Sequence, residues 1–217
     1  MTTTIDPHQG QPLYATGKPL DKARGALILV HGRGATAQSI LSLAGELPHP
    51  DLAYLAPQAA DNTWYPYSFL MPLARNEPYL SSALQRLSAV LDQIEAAGIP
   101  AERIIIGGFS QGACLATEFV ARNARRYGGL LAFSGGLIGP PDTPRDYVGS
   151  LAGTPVFLGC SDVDSHIPKK RVLESEMVLR GLGATVTAKL YPNMGHTINE
   201  DELIQARQIM NGLVIAP

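Results

Sequence analysis

The chain has 217 residues, 45% of them hydrophobic and 17% charged, with a formal net charge of −2. That length carries one domain with a substantial core, and that charge excludes the basic footprint a nucleic-acid partner needs. Two cysteines, Cys114 and Cys160, each sit inside an apolar stretch and read as buried free thiols, which excludes a disulfide framework.

The opening MTTTIDPHQG has no basic start followed by an apolar run, so no signal peptide is expected. Apolar stretches elsewhere are broken by Gly, Pro or charge before membrane-spanning length. The expectation is a cytoplasmic protein with no stable membrane insertion, built as one domain over 1–217, with 1–22 an N-terminal extension or edge strand. Ala26 to Val30 (ALILV) reads as a buried strand and Ala37 to Glu46 as a short helix. Leu52 to Leu55 reads as a second strand, followed by a long connection, rich in proline and aromatics, from Pro57 to Pro78. Leu80, Leu84, Leu87, Leu91 and Ile94 recur at intervals of four and three, which is one face of a helix that Gly98 and Pro100 end. Strands follow at Arg103–Ile106, Leu130–Phe133, Val156–Leu158 and Ala184–Tyr191, with helices over Lys169–Leu182 and Glu200–Leu213. This alternation predicts an α/β fold, a mostly parallel central sheet with helices on both faces, whose ligands bind at the carboxyl ends of the strands.

Between the Arg103–Ile106 strand and the helical pattern after Gln111 lies Gly108-Phe109-Ser110-Gln111-Gly112. A corner this tight brings backbone segments close together, so glycine is needed two positions either side of the serine. The gain is a hydroxyl standing clear of the sheet at a helix N-terminus, where free N–H groups favour developing negative charge. This is the layout of a nucleophile elbow. A serine there needs a base, and the base needs an acid to hold its tautomer.

Candidates follow in the expected order. The loop after Val156–Leu158 (GCSDVDSHIP) carries Asp162 and Asp164, either of which could serve as the acid. The loop after Ala184–Tyr191 (YPNMGHTINED) carries His196 as the base. His8, near the N-terminus, and His49, between two prolines, read as surface residues, and His166 is too close in sequence to the acids to be their oriented base. After the first strand, HGRGATAQS has glycines at 32 and 34 that turn backbone toward the elbow. The N–H groups of Arg33 and Gln111 are therefore the expected oxyanion donors.

His31-Gly32-x-Gly34, Gly108-Phe109-Ser110-Gln111-Gly112, Asp164-x-x-Ile167-Pro168 and Gly195-His196, in that order, resemble the phospholipase/carboxylesterase family of α/β hydrolases. That family includes acyl-protein thioesterases and many small bacterial esterases. The resemblance implies Ser110 as nucleophile, Asp164 as acid and His196 as base, and it places Trp64 and Tyr65 in the segment that lines the substrate cleft. Pro168, suited to a first helical turn, also favours Asp164, leaving Asp162 to hydrogen-bond its own loop. The thioesterases usually carry His-Gly-Leu-Gly-Asp where this chain has His31-Gly32-Arg33-Gly34-Ala35. A cation at the mouth, beside Tyr65 and Tyr67, points to a smaller or more polar ester.

The expected activity is hydrolysis of small carboxylic esters through an acyl-enzyme. Acyl-protein thioesterase or lysophospholipase activity is the alternative, and a non-catalytic ligand-binding protein on the hydrolase fold is a third reading. No His/Cys/Asp cluster has ligand spacing, so no metal or organic cofactor is expected. The partner is a small-molecule ester, with homodimerisation left open.

Overall fold

The computed structural model describes residues 6–213. Among these residues seven strands form one sheet: β1 (Leu13–Gly17), β2 (Gly25–Val30), β3 (Leu52–Pro57), β4 (Ile104–Phe109), β5 (Gly129–Phe133), β6 (Pro155–Ser161) and β7 (Thr185–Tyr191). Their order is β1-β3-β2-β4-β5-β6-β7, parallel throughout except for β1, which runs antiparallel along β3 with Leu13 opposite Pro57 and Gly17 opposite Ala53. β2 and β3 are buried at every position, as strands covered on both faces must be.

Among the described residues six α-helices cover the sheet: α1 (Ala37–Leu41), α2 (Leu43–Glu46), α3 (Tyr79–Ala96), α4 (Gln111–Arg122), α5 (Lys169–Gly181) and α6 (Glu200–Asn211). Alternation along each strand divides the core. Ile28, Val30, Ile104 and Ile106 face Leu87, Leu91, Leu115 and Phe119 of α3 and α4. Leu27, Leu29 and Ile105 face Ile40 of α1 and Leu203, Ala206 and Met210 of α6. The stripe expected on α3 is buried at Leu80, Leu87, Leu91 and Ile94.

The single helix expected over Ala37–Glu46 is two short ones. Ser42 ends α1, its N–H and its hydroxyl both bonding the Ser39 carbonyl, which tightens the chain at that point. His8, expected on the surface, is fully buried. Its ring accepts from the Ala60 N–H and meets the Trp64 carbonyl, and its own backbone N–H donates to Ser82. These partners lie 52 to 74 residues away along the chain, so nothing local could announce them.

Strand order reverses about β2, whose neighbours are β3 on one side and β4 on the other. The loops after β2 and β4 therefore open beside each other, while those after β6 and β7 approach from the far half of the sheet. A crevice at such a reversal is where an open α/β sheet holds its ligand.

Candidate active site

β4 ends at Phe109 and α4 begins at Gln111, leaving Ser110 alone to turn the corner. Its backbone sits at φ 56°, ψ −120°, a strained conformation for a residue with a side chain. Both flanking glycines are required. A Cβ on Gly108 would stand 2.6 Å from the Val30 carbonyl oxygen, and one on Gly112 only 2.1 Å from the same atom. The Ser110 N–H donates to the Phe133 carbonyl, pinning the corner to β5.

Ser110 Oγ lies 2.9 Å from His196 Nε2, and His196 Nδ1 lies 2.7 Å from Asp164 Oδ2. Three loops, after β4, β6 and β7, thus meet in one hydrogen-bonded chain. The Asp164 side chain is fully buried. Burial alone would raise its pKa, but hydrogen bonds from His196 and from the Ile167 and His166 amides outweigh that and hold it below the usual carboxylate range. With an ionised acid on Nδ1, the imidazole keeps its proton there and offers Nε2 to the serine as acceptor. The His196 ring is held between Phe109, at 4.8 Å between centroids, and His166, at 4.7 Å.

Asp162 is not joined to this chain. Its carboxylate accepts from the Asn193 N–H at 2.9 Å, on the loop that carries His196. The bond expected within its own loop instead crosses to the neighbouring one and ties the two loops together.

The loop after β2 passes over the elbow, and a Cβ on Gly32 would lie 3.5 Å from that of Ser110. Among the described residues, neither the Arg33 nor the Gln111 backbone N–H has an acceptor. His31 is buried, and its Nδ1–H donates to the Gly32 carbonyl while Nε2 accepts from the Ala59 N–H. Burial lowers its pKa, so a neutral ring braces the base of the loop.

A cleft of about 500 Å³ opens in front of Ser110, walled by Tyr65, Tyr67, Phe69, Cys114, Ile167 and His166. One expectation needs correcting here. Trp64 lies behind the wall, not on it: the indole is fully buried, donates to the His31 carbonyl and packs 5.0 Å from the His31 ring. Arg33 stands exposed at the mouth of the cleft as expected, and its guanidinium, with no carboxylate partner among the described residues, keeps its charge while donating to the carbonyls of Tyr65, Pro66 and Tyr67 at 2.8–2.9 Å. The Gln111 side chain grips the same strap, accepting from the Trp64 N–H and donating to the Tyr65 carbonyl, each at 2.9 Å. Tyr65 does face the cleft, though almost wholly covered.

From sequence, Cys114 reads only as a buried thiol and Ile167 only as part of a motif, and neither of them, nor Phe69, is placed on the cleft wall. Cys114 could have been, since four residues after Ser110 is the same helix face. Among the described residues no group of three or more His, Cys, Asp or Glu side chains is placed to hold a metal ion.

Comparison with known proteins agrees with this geometry. The family model for phospholipase/carboxylesterase matches residues 13–213. The chain belongs to that family. Its members are serine hydrolases on the α/β-hydrolase fold, and the chain is a hydrolase of this kind. A solved phospholipase/carboxylesterase from Dyadobacter fermentans is 43% identical, superposes with a TM-score of 0.90, and matches 97% of this chain and 99% of that one. Acyl-protein thioesterase 1 of Debaryomyces hansenii is 27% identical over 92% of this chain and 94% of its own. Lysophospholipase-like protein 1 of Mus musculus is 25% identical over 85% of each. Among the described residues no helix is long and apolar enough to cross a membrane.

Proposed function

We propose that this hydrolase is a carboxylesterase for small esters, working through an acyl-enzyme on Ser110. The observation that carries the reading is the unbroken chain from Asp164 through His196 to Ser110, at 2.7 and 2.9 Å, set on a strained elbow. His196 takes the serine proton as Oγ attacks the ester carbonyl. Asp164 holds the imidazole tautomer and stabilises the imidazolium that forms. The oxyanion is held by the free N–H groups of Arg33 and Gln111, the second of them at the start of α4, where the helix dipole adds to its pull. His196 then gives its proton to the leaving alcohol, and water repeats the attack to free the acid.

The acyl arm enters the cleft beside Tyr65, Phe69 and Ile167. Its walls are braced from behind: Trp64 is packed on His31, and the Arg171 guanidinium lies 5.7 Å from the Phe69 ring centroid. Rigid walls of this kind favour short acyl groups such as acetyl and butyryl. The relatives that are an acyl-protein thioesterase and a lysophospholipase-like protein keep thioester or lysophospholipid hydrolysis as the second reading.

The test is fluorophosphonate labelling of wild type and Ser110→Ala, with turnover of p-nitrophenyl esters from acetyl to palmitoyl. Labelling confined to the wild type, with turnover peaking at or below butyryl, is the expected result. Labelling of the alanine variant would refute the nucleophile, and a peak at palmitoyl would refute the short-acyl preference.

A further inference from the structure

A carboxylic ester bound at Ser110 has two arms, and a second groove, of about 350 Å³, adjoins the acyl cleft. The two share Gly32, Ala35, Phe109 and His196, which form the ridge between them. Ser110, Gln111 and Cys114 face only the first. The second is lined beyond the ridge by Ser39, Ile40, Ser42 and Leu43 from α1, α2 and their junction, and by Thr197 and Ile198, the two residues that follow His196.

We propose that this second groove receives the alcohol portion of the ester, and that the alcohol it selects is uncharged. The proposal rests on the esterase reading above and names the leaving group that this reading leaves open. Its first support is stereochemical. The leaving oxygen must collect its proton from His196 Nε2, so the alcohol arm departs past the imidazole and away from the oxyanion donors. The groove bounded by His196, Thr197 and Ile198 is where that path leads.

Its second support is the chemistry of the lining. Among the described residues, none of its side chains is a Lys, Arg, Asp or Glu, and apart from the His196 imidazole on the ridge its polar side chains are the hydroxyls of Ser39, Ser42 and Thr197. A quaternary ammonium or a phosphate there would lose water and find no counter-ion, a cost that specificity sites exploit to reject a ligand. A neutral alkyl, aryl or polyol alcohol meets apolar surface from Ile40, Leu43 and Ile198, with hydroxyls at the rim.

The test holds the acyl group constant and changes only the charge of the alcohol. Acetylcholine and its neutral isostere 3,3-dimethylbutyl acetate are compared by kcat/KM in wild type, Leu43→Glu and Ser42→Asp. The ammonium makes choline the better leaving group, so intrinsic reactivity runs against the expected result. Wild type should prefer the neutral ester by about tenfold or more, and each acidic substitution should narrow or reverse that ratio. Ser42 is exposed, so its variant keeps the test open should Leu43→Glu fail to fold. Equal use of the two esters by wild type, or a ratio that neither variant moves, would overturn the groove assignment while leaving the esterase reading standing. Failure to hydrolyse all three esters, p-nitrophenyl acetate included, would overturn both.

Discussion

Glu202 offers a quantitative test of how the His196 loop is anchored. The residue lies in the first turn of α6 and is fully buried. One carboxylate oxygen accepts from the Asn199 N–H at 2.8 Å, closing a capping box, and the other has no partner and points at Gly159 of β6. Burial is the main cause that pushes its pKa up to about 7, against the single hydrogen bond from Asn199, with the neighbouring Asp201 adding to the rise. A pKa raised in the folded state means the fold prefers the protonated acid. Its stability is therefore full below the unfolded value of 4.5 and is lost as pH rises toward about 7. Ionisation across that window costs about 3 kcal/mol. Glu202→Gln keeps an acceptor for Asn199 and cannot ionise. The melting temperatures of the two proteins should then diverge by roughly 6–12 °C between pH 4.5 and pH 8, with the variant gaining. Differential scanning calorimetry at half-unit pH steps reads this directly, and titrations common to both proteins cancel in the difference. A flat difference across the window would refute the reasoning, whatever the constant offset between the proteins.

Ser110→Ala should cut ester hydrolysis by several orders of magnitude with folding intact, and a purified variant that keeps more than about a tenth of wild-type activity would remove the serine from the mechanism. Asp164→Asn should lose roughly a hundredfold or more in kcat by admitting the wrong His196 tautomer. Asp162→Asn still offers an oxygen to the Asn193 N–H and should lose far less; steady-state kinetics on both variants decide between the two acids. Arg33→Ala keeps its backbone N–H but releases three strap carbonyls, so kcat/KM for p-nitrophenyl butyrate should fall by about tenfold. No change on that substrate would mean the strap holds its shape without the guanidinium.

Much of this architecture was legible in the sequence because its signals are local. Ile104–Ile106 and Ala26–Val30 are continuous apolar runs, which only a strand buried on both faces wants. The glycines around Ser110 answer a clash between neighbouring backbones, so they too can be read without the fold. What escaped reading depends on distant partners. The edge strand is among the two options read for 1–22, but the bounds of β1 and its pairing with β3 some forty residues on are not, because its half-buried to exposed residues show no alternation. His8 is buried by contact with Trp64 and Ser82. Trp64 was assigned to the right segment but the wrong side of it, since a single indole N–H bonded to the His31 carbonyl decides which way the ring turns. The charge of Arg33 at the mouth is legible in the sequence, but the three distant carbonyls that its guanidinium also holds are not.

The double grip on residues 64–67 has a consequence for how such a protein changes over generations. Gln111 and Arg33, the proposed oxyanion donors, also use their side chains to hold the strap that walls the cleft. A substitution that shifts the strap backbone to admit a new acyl group therefore drags on the two donors as well. Innovation at that wall is taxed by lost turnover. Adaptive routes should run through positions outside the grip, such as the side chains of Phe69 and Ile167, the latter carried on a different loop. Lineages that acquire longer acyl chains are then expected to vary there first, with Gln111 and the residue at 33 changing together or not at all.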